Sequence, residues 1–230
     1  MFSNFPPRIS RVLCLGLLLG LSLALTACAT TRQTRSVEQS GFLGDYSQLR
    51  KGEGDEAQLV YINPAVDFSR YHAVLIDSVT LWHDSDLSKI PAEERQALTD
   101  YLYTALHKEL SKDFGIVDAP AQGVLRIRAA LTEAKSSKVA MNVITTTIPQ
   151  LRLLSSVAGL ATDTQAFVGR CGVEAEITDS MTDKRLMAAV DARAGTKTLK
   201  GMTGKWSDVE EAFDFWAERL RKRLESLRKP

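Results

Sequence analysis

The chain has 230 residues, 44% of them apolar and 25% charged, with a net charge of +1. That balance suits a globular domain and excludes collagen-like and disordered classes, while three cysteines are too few for a disulfide framework. A near-neutral chain also lacks the concentrated basic surface that neutralises phosphates, so no nucleic-acid partner is expected.

The first element is a leader. Arg8 and Arg11 precede an apolar run, Val12–Leu25. At about 1.5 Å per residue this run is too short to cross roughly 30 Å of hydrocarbon, and it has the length of a signal-peptide core. It ends in Leu25-Thr26-Ala27-Cys28, which resembles the lipobox of bacterial lipoproteins. The resemblance implies cleavage before Cys28, lipidation of the Cys28 sulfur by a fatty acid such as palmitate, and a mature chain of 203 residues. Ala29, where an Asp would imply retention at the inner membrane, implies an outer-membrane protein, lipid-anchored and facing the periplasm. The expected divisions are a signal peptide at 1–27, a flexible lipidated tether at 28–41, and one domain at 42–230 with an apolar insertion at about 134–165.

Ala29–Gly41 is polar and without periodicity, as a tether would be. Residues 42–64 read as mostly irregular chain, with Phe42, Leu43, Tyr46, Leu49 and Tyr61 pinned onto the domain. His72–Trp82 is β-branched and apolar, the pattern of a buried strand. Pro91 then opens a helix with Glu93 and Glu94 in its first turn, an apolar face of Leu98, Leu102, Ala105, Leu106 and Leu110, and Gly115 as its stop.

Three strands follow, over 124–132, 167–178 and 185–196, each with a period of two. Asp179–Lys184 is a turn cluster that makes the last two a hairpin. In these strands Arg126, Arg128, Arg170, Glu174, Glu176, Asp191 and Arg193 are expected on one sheet face, as cross-strand ion pairs or as a polar docking surface. A final helix starts at Ser207, which has capping-box spacing to Glu210 and leads a stripe of Val209, Phe213, Trp216, Leu220, Leu224 and Leu227. The predicted fold class is α+β: a mainly antiparallel sheet of about four strands with two long helices on one face, in the order strand, helix, three strands, helix.

The insertion carries Met141–Leu160, a nearly uncharged run broken by Pro149. Exposed, its Val143, Ile144, Ile148, Leu151, Leu153, Leu154 and Leu160 would form a patch for docking a partner or a membrane; folded back, they would cover a sheet edge or complete the core.

Several stretches together, SGFLGDYSQL from Ser40, LVYINP from Leu59, FVGRCGVEAEITDS from Phe167 and AAVDARAG from Ala188, resemble an uncharacterised bacterial lipoprotein family, domain of unknown function 3313. The resemblance runs from Ser40 to the last helix. It implies a fold and an address but no activity, ligand or catalytic residue.

Candidate chemistry is sparse. His83, Asp84 and Asp86 could offer an imidazole and two carboxylates to a metal, but no second His or Cys stands at ligand spacing. Gly52-Glu53-Gly54-Asp55-Glu56-Ala57 fits a dinucleotide fingerprint in letters only, having no strand–turn–helix context, and Gly201–Lys205 is an incomplete phosphate loop. Cys171 falls on the apolar side of its strand, where a thiol packs and does not react. The expectation is therefore a non-catalytic module without cofactor or metal, held to the membrane by its anchor and docking to another envelope protein. The alternatives are a lipid-handling module with an apolar cavity between helices and sheet, and a metal-dependent enzyme using His83, Asp84 and Asp86.

Overall fold

The computed structural model describes residues 31–82, 87–136, 169–195 and 205–229. They contain β1 (Thr31–Gln33), β2 (Arg50–Lys51), β3 (Leu59–Ile62), β4 (Ala73–Ile76), β5 (Thr80–Leu81), α1 (Ala92–Leu110), β6 (Gly115–Ile116), β7 (Val124–Lys135), β8 (Arg170–Asp179), β9 (Arg185–Gly195) and α2 (Ser207–Arg228). All nine strands belong to one sheet of order β2-β3-β9-β8-β7-β4-β6, with β1 also on β9 and β5 also on β7.

This corrects the expected sheet of about four antiparallel strands: the sheet is mixed, with β4–β6, β4–β7 and β5–β7 parallel. Parallel neighbours need a long crossover, and α1 supplies it between β5 and β7. The extra strands are two to four residues long, too short for a period of two to show. Two of them, β2 and β3, lie within 42–64, which is otherwise irregular as expected. Another, β1, lies inside the stretch read as a tether, and its Thr31 is buried against β9.

The helices α1 and α2 cover one face. Leu98, Leu102 and Leu106 of α1 and Val209, Phe213 and Leu224 of α2 meet Leu125, Ile127, Leu131, Val173 and Ile177 of the sheet in one core. The two helices are clasped by Tyr101 against Phe213, ring centroids 6.2 Å apart, and by Arg221, which donates to Glu109 at 3.2 Å and Asp113 at 2.8 Å. Helix α1 begins after Pro91 and turns out at Ser111, four residues before Gly115, which is instead the first residue of β6. Helix α2 has Trp206 at its cap, its carbonyl accepting from the Val209 and Glu210 amides at 2.9 Å, so the expected Ser207 cap is displaced by one residue.

The other face is covered by the chain before β2. Phe42 and Leu43 pack on Ala130, Ala188 and Val190, and Phe42 meets Trp82 edge-to-face at 5.3 Å. Beneath them Glu174 is fully buried, its carboxylate accepting from the Ser40 amide at 2.6 Å and the Tyr46 hydroxyl at 2.5 Å. Glu176 is buried beside it and accepts from Arg128 at 2.5 Å and Arg185 at 3.0 Å.

The single polar face is corrected too. Arg126, Arg128, Glu174 and Glu176 do share it, but Asp191 and Arg193 stand opposite Val173 and Cys171 in the register and so face the helices. The cause is a bulge at the hairpin. The register shifts between Ile177 and Thr178, which pair with Met187 and Arg185 and skip Leu186. One extra residue flips every later side chain to the opposite face. Val190 and Ala188 thereby go under Phe42, and Met187, Ala189, Asp191 and Arg193 go under α2.

At the far end of this hairpin, Asp208 in the first turn of α2 accepts from the Gly169 amide at 2.9 Å, while its Oδ1 has no partner among the described residues. A Cβ on Gly195 would stand 2.3 Å from the Asp208 carboxyl carbon, so only glycine fits there. Burial raises the Asp208 pKa, opposed by the Gly169 amide. A carboxyl whose folded pKa is raised makes the native state bind more protons than the unfolded one, so stability falls as pH rises through the ordinary value of 3.8 toward the folded value. Asp208→Asn keeps an acceptor for Gly169 and removes the charge. Denaturant melts across pH 3–7 are expected to show a smaller stability loss above pH 4 in this variant than in the parent; an identical pH profile would refute the assignment.

Candidate functional site

The bulge has a consequence for packing. On the helix-facing side, Val60, Ala189, Ala175 and Ala129 stand directly opposite one another across β3, β9, β8 and β7. The next row, Ile62, Met187, Ile177 and Ile127, is uniformly large. Three methyl groups in line make a trough that the side chains of α1 and α2 do not fill. Ala175 and Ala189 accordingly stay partly accessible at the centre of the sheet, although the residues on either side of each along its strand are buried.

The trough is the floor of a cavity of about 340 Å³ between sheet and helices, with Leu102 and Leu106 of α1 and Trp216 and Leu220 of α2 as its roof. This volume is at the lower end of the range of small-molecule sites, which are typically about 300–1,000 Å³, concave and mostly apolar with a few polar groups.

The polar groups gather at one end. Asp191 is 4% exposed and accepts from the Trp216 indole at 2.7 Å, the Gln33 side-chain amide at 2.7 Å and the Gln58 backbone amide at 3.3 Å. It thereby ties α2, β1 and the start of β3 together. Burial pushes its pKa up, against those three donors. Arg193 is 6% exposed and donates to the Thr31 hydroxyl at 3.0 Å and carbonyl at 2.6 Å. Its guanidinium lies 3.6 Å from the Phe215 ring centre, and Arg219 lies 5.2 Å from the same ring. Burial lowers the Arg193 pKa, and the charge of Asp191 opposes the shift.

The rim is the turn between β2 and β3, the Gly52–Ala57 stretch whose glycine pattern fits a dinucleotide loop only in letters. Gly52 admits no side chain, because a Cβ would fall 1.8 Å from the Ala57 carbonyl. Asp55 pairs with Arg219, and Glu56 pairs with Arg223 at 3.5 Å and with Arg50 at 2.7 Å. Hydrogen bonding from Arg50 is the main reason the Glu56 pKa is lowered. The turn is thus strapped to α2 across the cavity mouth.

The candidates singled out in the sequence lie mostly elsewhere. Cys28, His83, Asp84, Asp86 and the apolar set Val143, Ile144, Ile148, Leu151, Leu153, Leu154 and Leu160 are outside the described residues. Cys171 is buried on the helix-facing side, and desolvation pushes its thiol pKa well up, as suits packing and not nucleophilic attack. Among the described residues no three His, Cys, Asp or Glu side chains cluster as metal ligands, and no helix is long and apolar enough to cross a membrane. Phe215, Arg219 and the alanine row were not singled out, and Arg193 and Asp191 were expected on the opposite, polar face of the sheet. Alternation put Ala129 and Ala175 on the apolar side, but Ala189 joins them only through the bulge.

Solved structures similar to this chain share little sequence with it. PelC from Paraburkholderia phytofirmans, a dodecamer, is 14% identical with a TM-score of 0.39, over 70% of this chain and 94% of that one. Protein XCC0632 from Xanthomonas campestris, of family DUF330, is 9% identical with a TM-score of 0.42, over 72% and 90%. A neuraminyllactose-binding hemagglutinin homolog from Helicobacter pylori is 10% identical with a TM-score of 0.33, over 79% and 96%. No curated protein matches the chain. A family model matches residues 38–220, from the segment that covers Glu174 to the roof of the cavity, and the chain belongs to that family, the proteins of unknown function designated DUF3313.

Proposed function

We propose that this chain is a non-catalytic, lipid-anchored envelope module that holds the hydrocarbon chain of a small ligand between its helices and its sheet. One observation carries the reading: the row of Ala129, Ala175 and Ala189 leaves a cavity of about 340 Å³ over the middle of the sheet, where interiors are otherwise close-packed. Its walls are aliphatic and aromatic, so the gain on binding is the burial of apolar surface, at about 25 cal/mol per Å². Among the described residues of the lining, none forms a nucleophile with its base or an acid–base pair around a reacting atom. The lipobox-like Leu25–Cys28 supports the anchor, and Ala29, standing where an Asp would imply inner-membrane retention, supports an outer-membrane address.

The test separates filling from unfolding. Ala175→Leu with Ala189→Leu adds six carbons to the floor of an existing void, so the melting temperature is expected to hold or rise. Titration of the purified full chain with an uncharged dansylated dodecyl amide is expected to show saturable one-to-one binding in the parent. The double variant should weaken that binding by about tenfold or more, some 1.4 kcal/mol. Non-saturable binding in the parent, or equal affinity in a folded double variant, would remove the cavity from the proposal.

A further inference from the structure

We infer that the cavity selects a single-chain amphiphile with an anionic head, a carboxylate or a phosphate monoester, received by the guanidinium groups of Arg193 and Arg219. This rests on the chain-binding reading above and adds the head group and its orientation. Arg193 is buried in the cavity wall yet makes no ion pair among the described residues. Its Nε and Nη2 are spent on Thr31, which leaves Nη1 without an acceptor among the described residues. Asp191 is near enough to Arg193 to oppose part of its desolvation but does not contact it; a buried guanidinium with no carboxylate in contact is costly, and a ligand anion relieves that cost.

The neighbouring carboxylates do not serve. Both oxygens of Asp191 are occupied by Trp216, Gln33 and Gln58, and Glu56 is held by Arg50 through both of its oxygens. Arg219, beside Arg193 on the Phe215 ring, pairs with Asp55, whose side chain is 78% exposed. A pair with so exposed a partner is worth about 0–1 kcal/mol and exchanges readily for a ligand anion. Planar guanidinium groups suit the paired oxygens of a carboxylate or phosphate. Toward α1 the lining is apolar: Leu102, Leu106, Ile127 and Ile62. The chain of the ligand therefore points under α1 and its head stays by α2.

The position of this head site relative to the proposed anchor agrees. Thr31, which holds Arg193, follows Cys28 by three positions, a reach of at most about 11 Å at 3.6 Å per residue. A lipidated Cys28 would keep the arginine end of the cavity beside the head groups of the bilayer.

Displacement of the dansylated amide from the full chain at pH 7.5 tests the assignment. Dodecanoate and dodecyl phosphate are expected to displace it at concentrations about tenfold or more below dodecanol, and inorganic phosphate without a chain to displace nothing. Arg219→Gln, at the rim, should cut that preference severalfold, and Arg193→Gln should abolish it while dodecanol still binds, which shows that the variant is folded. Equal displacement by dodecanol and the two anions, or a preference unchanged in both variants, would overturn the head-group assignment and leave chain binding intact. Displacement by none of the three would sink both.

Discussion

Replacing Asp191 with alanine is expected to cost about 3 kcal/mol of folding stability, the largest loss of any single polar substitution around the cavity. The carboxylate is the only acceptor among the described residues for the Trp216 indole and for the Gln58 amide, and it shares the Gln33 side chain with the Glu56 carbonyl. Alanine strands these donors, each at roughly 1–3 kcal/mol when buried, and it removes the nearest opposing charge from Arg193. Relief of the carboxylate's own desolvation, visible in its raised pKa, offsets part of that loss. Asp191→Asn keeps one oxygen and is expected to cost about half as much, because one of two acceptor positions becomes a donor facing another donor. Urea unfolding of parent, Asp191→Ala and Asp191→Asn measures both values. The ranking is the sensitive part: alanine as stable as the parent, or asparagine worse than alanine, would show that the three donors find other partners.

Replacing Cys28 with alanine has the largest expected effect on address. An acylated cysteine gains about 0.8 kcal/mol per buried methylene, and two or more chains make attachment stable where one chain is marginal. Without the sulfur there is nothing to acylate, and a peptidase that reads the lipid-modified residue does not cut. Intact-mass measurement is expected to find the parent shortened by residues 1–27 and heavier by fatty-acyl groups, and the variant with its leader still attached. Parent protein without acyl mass, or a variant processed at the same bond, would dissolve the anchor and the case for an arginine end held at the bilayer. Chain binding in the cavity would stand apart from that outcome.

Much of the core was open to reading from residue order alone. The period of two in β7 and β8 correctly separates Leu125, Ile127, Cys171 and Val173 from Arg126, Arg128, Glu174 and Glu176, since a strand exposes alternate side chains whatever it pairs with. The three- and four-residue spacing in α1 and α2 likewise names Leu98, Leu102, Leu106, Phe213 and Leu224 as core. Glu174 shows the boundary of that method. Alternation places it opposite the helices, where water was expected, but Phe42 and Leu43 close over it and leave it 0% exposed. Pinning of those two residues was foreseeable from their apolarity; which face they would cover was not.

Residue order by itself determined the two helices and the three long strands, because each is written in local spacing and composition. Only tertiary structure decided the nine-stranded mixed sheet and the cavity. Two-residue strands carry no period of their own and exist through their neighbours' hydrogen bonds. The alanine row, with Arg193 and Asp191 on the same side, depends on one skipped residue at Leu186, which inverts the facing of everything after it in β9. Such a slip is settled by how a whole strand packs against its partners, a sum over long-range contacts that no short window of sequence contains.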